Sequence, residues 1–213
     1  MPTKVKICGL KTEAALEAAL AGGADFVGLV FFPPSPRNVT LAVAKALADR
    51  ARGRARIVAL MVDPDDALIA QVVASAAPDL IQLHGYETPT RVAEVRARWG
   101  IPVVKAVPVE TAEDAHAARQ FSPAADLILF DALAPADSAR PGGNGAPFDW
   151  RTLLGVTEGM PFVLSGGLTP DNVAEAIRLT GATTVDVSSG VESSPGEKDP
   201  ELIRRFLRAA KGV

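Results

Sequence analysis

One unit recurs along this chain: a short apolar run rich in Val, Ile or Leu, a turn, then an Ala-rich amphipathic stretch. Eight such runs read as strands: Val5–Ile7, Phe26–Val30, Ile57–Met61, Leu80–Leu83, Val103–Ala106, Leu127–Phe130, Phe162–Leu164 and Thr184–Val187. Continuous apolar strands that alternate with helices indicate a parallel sheet covered by helices. Eight such units in 213 residues match a single (β/α)8, or TIM, barrel over 1–213. The rival is a doubly wound open sheet, whose nucleotide-binding form carries G-x-G-x-x-G after its first strand. Here Cys8-Gly9-Leu10-Lys11-Thr12 stands at that place.

Helix starts are marked. Thr12, Thr40, Thr88, Thr111 and Asp199 each precede a helical pattern and have side chains that accept a first-turn N–H, and Asp63-Pro64-Asp65 opens the third helix. Pro89 and Pro200 take the first helical position, where a missing N–H costs nothing. Thr169-Pro170-Asp171 opens a further helix. Two strand-to-helix connections are long, Phe31–Asn38 and Asp131–Phe148, the second containing Pro141-Gly142-Gly143-Asn144-Gly145. In a barrel both lie on the side where chemistry occurs.

The formal net charge is −3, and the densest basic stretch, Arg50–Arg56, has no interleaved aromatic residue. That disfavours nucleic-acid binding. One cysteine excludes an internal disulfide. No secretory leader pattern opens the chain, and the apolar run around Phe26–Phe32 is too short to cross a bilayer. The expectation is a cytoplasmic protein with no membrane partner.

Alternation along the strands sorts the polar residues. With Val5 and Ile7 facing the helices, Lys4, Lys6 and Cys8 share the inner face. A buried ammonium needs a counter-charge, and the eighth strand, next to the first on closure, offers Asp186. A Lys6–Asp186 pair is therefore expected, with Lys6 favouring the Cys8 thiolate. The same parity turns Gln82, His84 and Asp131 inward. Ser165-Gly166-Gly167-Leu168 and Ser188-Ser189-Gly190 follow strands seven and eight, where barrels commonly bind phosphate through backbone N–H groups. Arg37 ends the proline-stiffened Pro33–Pro36 segment and suits a carboxylate.

In order along nearly the whole chain, Lys4–Gly9, Gly28–Phe31 with Ser35-Pro36-Arg37, Val58–Val62, Leu80–Gly85, Asp131, Gly142–Gly145 with Phe148-Asp149-Trp150, Leu164–Leu168 and Val185–Glu192 resemble phosphoribosylanthranilate isomerase of tryptophan biosynthesis. Asn144 departs from the Thr or Ser that the family more often has there. The resemblance implies an Amadori rearrangement of a phosphorylated small molecule, without cofactor or metal, by a monomer or homodimer. It makes Asp131 the general acid and Cys8 the general base. Arg37 would hold the anthranilate carboxylate. Gly166, Gly167, Ser188, Ser189 and Gly190 would contact the phosphate, and His84 and Asp186 would line the pocket.

Three rivals remain. The related histidine-pathway isomerase handles two phosphates and needs a second anion loop after strand three or four. Asp63-Pro64-Asp65-Asp66 and His84-Gly85-Tyr86-Glu87 stand there instead, and their acidity repels one. A silent phosphate-binding barrel and a Schiff-base aldolase using Lys105 are the others.

Overall fold

The computed structural model describes residues 2–133 and 148–213, so Gly142, Gly143, Asn144 and Gly145 lie outside the described residues. Eight parallel strands, β1 (Lys4–Cys8), β2 (Phe26–Phe31), β3 (Arg56–Met61), β4 (Leu80–Leu83), β5 (Val103–Val109), β6 (Leu127–Ala132), β7 (Phe162–Leu164) and β8 (Thr184–Val187), close in chain order into a barrel. Helices α1 (Glu13–Ala21), α2 (Leu41–Ala51), α3 (Asp66–Ala76), α4 (Pro89–Trp99) and α5 (Ala112–Ala117) follow the first five strands. After β6 the described chain carries a 3-10 turn, Trp150–Leu153; α6 (Val173–Thr180) and α7 (Pro200–Lys211) follow β7 and β8. A short hairpin, β9 (Glu192–Ser194) with β10 (Glu197–Lys198), sits between β8 and α7. Among the described residues no helix is long and apolar enough to cross a membrane.

Caps stand at the helix starts read from the sequence, and within Asp63-Pro64-Asp65 it is Asp65 that caps α3. Thr12, Thr40, Asp65, Thr88 and Thr111 each accept a backbone N–H from the first turn of α1 to α5. Thr111 and Asp114 complete a reciprocal capping box. One start differs: Thr169-Pro170-Asp171 forms a lead-in, and α6 begins only after Asn172. Asn172 Oδ1 accepts the Thr169 N–H at 2.7 Å, so the side chain holds a turn instead of the helix.

Strand parity divides the core. Val5, Ile7, Val27, Leu29, Ile57, Ala59, Ile81, Ile128, Phe130 and Val185 point outward into one continuous cluster with the helices. Phe26, Val58, Leu80, Val104, Ala106, Leu129 and Val163 fill the interior, and Cys8, Val30 and Leu60 form a smaller cluster.

At the opposite end of the barrel from the candidate site, one device repeats three times. Asp25, Asp79 and Asp126, each just before an even-numbered strand, accept the N–H of Val5, Ile57 and Val103 at 2.8, 2.7 and 2.9 Å. Each carboxylate pins the start of the preceding strand, a charge-assisted bond that fixes register. The barrel's pairing is uneven. β5 and β6 run in register over six pairs, down to Pro108 opposite Asp131 and Val109 opposite Ala132. β7 and β8 register only at Leu164 opposite Val185.

Candidate functional site

On the β1–β8 side, Lys6 lies opposite Asp186 in the strand register. Its Nζ is 2.9 Å from Asp186 Oδ1, and both side chains are nearly sealed. The expected pair is present. Burial works against the Lys6 ammonium, but the charge and hydrogen bond of Asp186, with Cys8 behind them, hold its pKa above the ordinary value. Cys8 is the next inward residue, 3% exposed. Its room comes from Gly28, its register partner on β2: a Cβ there would stand 3.0 Å from both Cys8 Cα and Sγ. Burial pushes the Cys8 thiol up, and Asp186 adds to this. Lys6 and Lys198 pull the other way without overcoming it. The expected help of Lys6 to the thiolate is thus real but outweighed by desolvation.

On the facing side, β6 extends past its apolar run, so Asp131 lies within the strand, not after it. Asp131 Oδ2 is 3.2 Å from His84 Nε2, and Oδ1 accepts the Ala132 N–H at 3.0 Å. His84 Nδ1 is 3.0 Å from Gln82 Nε2. With that amide donating, Nδ1 accepts, and the ring proton sits on Nε2 toward Asp131. Gln82 is fully buried, and its Oε1 has no hydrogen-bond partner among the described residues.

The two glycine-bearing loops meet. Ser165, Gly166 and Gly167 leave β7 directly, and Ser188 leads from β8 into a 3-10 turn, Ser189–Val191. A Cβ on Gly190 would fall 1.9 Å from the Leu168 carbonyl oxygen, so only glycine lets the loops pack this closely. Ser188 Oγ donates to the Cys8 carbonyl at 3.3 Å, tying this loop to β1.

Arg37 is 5% exposed and grips a carboxylate of the chain itself. Its Nε and Nη2 donate to Glu192 Oε1 and Oε2 at 2.7 and 2.8 Å, a forked pair. Glu192 also accepts from Lys198 Nζ at 2.6 Å.

A sequence model of N-(5'-phosphoribosyl)anthranilate (PRA) isomerase matches residues 5–209. The chain belongs to the N-(5'-phosphoribosyl)anthranilate isomerase family. An isomerase of that name from Rhodopseudomonas palustris (strain BisA53) is 57% identical over 213 residues, covering 100% of this chain and 98% of the relative. The crystal structure of phosphoribosyl anthranilate isomerase from Thermotoga maritima superposes with a TM-score of 0.89 at 34% identity, over 99% of this chain and 100% of that one. A phosphoribosyl anthranilate isomerase in complex with reduced 1-(o-carboxyphenylamino)-1-deoxyribulose 5-phosphate gives 0.86 at 32% identity, with coverage of 99% and 100%.

The N-(5'-phosphoribosyl)anthranilate isomerase family motifs fall on two groups of the barrel. Cys8, Lys6, Asp186, Ser188 and Arg37 gather around β1 and β8; His84 directly follows β4, and Asp131 stands on β6. Sequence reasoning gave no role to Glu192 or Lys198. Their segment, Glu192-Ser-Ser-Pro-Gly-Glu-Lys198, has no apolar pattern, and in the β9–β10 hairpin the two charges are paired and buried. Gly28 stood within a resembling segment but was given no role; its signal is a glycine inside an otherwise apolar strand. Lys105 lies on the outward face. Its Nζ donates to Glu87 Oε2 at 2.9 Å and to the carbonyls of Gly85 and Ala106 at 2.7 and 2.8 Å. That saturated, buried ammonium removes the Schiff-base reading.

Proposed function

We propose that this chain converts N-(5'-phosphoribosyl)anthranilate to 1-(o-carboxyphenylamino)-1-deoxyribulose 5-phosphate, the third step of tryptophan synthesis from chorismate, in the cytoplasm as a monomer or homodimer. The observation that carries the residue assignment is the placement of Cys8 and Asp131 on strands three steps apart around the ring, each inward and buried, so that they flank a sugar between them.

Asp131 gives a proton to the furanose ring oxygen. The C1–O bond breaks toward that oxygen, and the anilino nitrogen lone pair forms the C1=N iminium. The Cys8 thiolate then removes the proton from C2, and the released pair forms the C1=C2 enolamine, which tautomerises to the C2 ketone. The order follows from charge. Burial disfavours the thiolate in the empty site, and the positive iminium formed first offsets that penalty. His84 orients the Asp131 carboxyl. Asp186 fixes Lys6 beneath the thiol. Arg37 takes the anthranilate carboxylate, and the backbone of Gly166, Gly167, Ser188, Ser189 and Gly190 takes the phosphate.

One phosphate fits; a second does not. Around the loops after β3 and β4, the N–H groups that would form an anion cradle are already used. Glu87 accepts those of Asp63 and Gly85 at 2.9 and 3.0 Å, and Asp63 accepts that of Tyr86 at 2.7 Å. This favours the single-phosphate substrate over that of the histidine pathway.

The test is Asp131→Asn, followed by loss of the fluorescent anthranilate adduct. Turnover should fall by roughly 10²–10⁴-fold, the usual contribution of a placed proton donor, with substrate affinity little changed. Cys8→Ala should match it, and Cys8→Ser should keep a trace. Turnover retained by Asp131→Asn rejects the acid assignment. Rescue of a histidine auxotroph, with no rescue of a tryptophan auxotroph, rejects the substrate.

A further inference from the structure

One polar side chain inside the barrel has no part in the steps above. Gln82 faces inward on β4, fully buried, with Leu60 on β3 and Val104 on β5 as its register partners. Its Nε2 is 3.0 Å from His84 Nδ1, while its Oε1 has no hydrogen-bond partner among the described residues. His84 Nε2 stands 3.2 Å from Asp131 Oδ2, and Asp131 Oδ1 accepts the Ala132 N–H at 3.0 Å. The backbone at His84 is also held, its N–H donating to the Met61 carbonyl at 2.9 Å. Gln82, His84 and Asp131 thus form a row that ends on the acid. A buried amide with an unpaired oxygen costs stability, and an apolar side chain would suit this interior better. The amide makes sense if it serves the reaction and not the fold.

We propose that Gln82 is a positioning residue for the acid step: its N–H selects the His84 tautomer that carries its proton on Nε2, and so aims a second donor at the carboxylate that Asp131 becomes. This deepens the function proposed above and rests on it.

The direction of the amide follows from its surroundings. As it stands, one N–H is bonded and the carbonyl oxygen is left over. Reversed, the carbonyl would accept from Nδ1–H, and both N–H groups would be left over. An unpaired buried N–H is rarer than an under-satisfied carbonyl, so the amide donates. Nδ1 then presents its lone pair, and Nε2 holds the ring's one proton. The proton balance is simple. Asp131 passes its own proton to the furanose oxygen, and the His84 proton stays on Nε2 throughout. As charge builds on Asp131, the bonds from Nε2–H and from the Ala132 N–H become charge-assisted and gain strength. That gain belongs to the transition state and not to the bound substrate, so it is read in kcat. With the proton on Nδ1, a bare Nε2 would face Asp131 instead. It would take the acid's proton for itself, since imidazole is ordinarily the stronger base, or set its lone pair against the new carboxylate.

The experiment uses the whole chain with isotopically labelled histidine. The chain holds two histidines, His84 and His116, and His116 is exposed on α5, so it serves as an internal reference. Ring-nitrogen NMR signals are read for the unaltered chain, Gln82→Met and Gln82→Glu, together with melting points and with kcat and KM for loss of the fluorescent anthranilate adduct. In the unaltered chain His84 should carry its proton on Nε2 alone. Gln82→Met removes the donor and should mix the two tautomers. Gln82→Glu sets an acceptor against Nδ1 and should draw a proton there. In both, kcat should fall by roughly 10–100-fold, as for the loss of one hydrogen bond to a charged group, with KM changed by less than about threefold. A packing role would leave the His84 signals as they are and lower only the melting point, which overturns the inference. So does an unaltered chain with the ring proton on Nδ1, or a variant whose tautomer changes with kcat intact. If Gln82→Met does not fold, Gln82→Glu, nearly identical in shape, decides in the same way. Absence of turnover in the unaltered chain rejects the proposed function and the inference with it, whereas normal turnover there with any of the overturning results rejects the inference alone.

Discussion

Replacing Lys6 by methionine isolates what the barrel's interior ion pair does. Methionine matches the length of the lysine stem and removes only the ammonium, leaving Asp186 sealed with no cation at 2.9 Å. Breaking one side of a buried pair costs about 3–5 kcal/mol, because the remaining charge is uncompensated. For a chain of this size that lowers the thermal midpoint by roughly 6–20 °C. The double variant Lys6→Met with Asp186→Leu should regain most of the loss, since an apolar replacement of both partners is close to neutral. The sign with pH is fixed. Lys6 titrates above its ordinary 10.5 in the folded chain, so its contribution is complete below that value and fades as pH rises through the folded pKa. Unfolding measured at pH 7 therefore reads the full effect. A second readout is local to Cys8. With the cation gone and Asp186 still charged, the thiol rises further, so the pH profile of iodoacetamide alkylation should move to the alkaline side. A Lys6→Met chain within about 1 kcal/mol of the parent, a typical value for an exposed pair, with an unmoved alkylation profile, would refute this account.

Gly28→Ala places a Cβ 3.0 Å from Cys8 Sγ and Cα; it should cost about 1–3 kcal/mol by overpacking, and kcat should fall by roughly tenfold as the sulfur is displaced. An unchanged kcat would show that the gap is not needed. Glu192 is held at about 2 against an ordinary 4.5; burial pushes it up, but the hydrogen bond from Arg37 and the charge of Lys198 win. Its contribution, on the order of 3 kcal/mol, is present above pH 4.5 and lost as pH falls toward 2; urea midpoints should show that acid limb, and Glu192→Gln should flatten it. Lys105→Met strands Glu87 and should destabilise by about 3–5 kcal/mol, while turnover per folded molecule persists and borohydride traps no adduct.

The strands and caps were legible because they answer to local rules. Val5, Ile7 and Cys8 sort by parity alone, and Thr12 or Thr88 announces its helix whatever packs above it. The Lys6–Asp186 pair was legible for a different reason: ring closure puts the first and last strands together, and an inward ammonium admits few partners. Glu192 and Lys198 were not legible, since their burial is decided by a hairpin of five described residues in two short strands with no apolar pattern. The pull of Lys6 on the Cys8 thiol was legible because a neighbouring cation can be read from sequence, whereas the depth of burial that outweighs it cannot. The repeated Asp25, Asp79 and Asp126 were visible as text but have meaning only when two strand starts lie side by side.

The single register contact between β7 and β8, Leu164 with Val185, makes that seam the natural parting line of the cylinder. The loops proposed to hold the phosphate leave these same two strands. A bound phosphate would then act as a rivet across the joint, so saturation with ligand should slow amide exchange at β7 and β8 more than along the six-pair seam of β5 and β6. Substrate, on this view, helps complete the hoop that holds it.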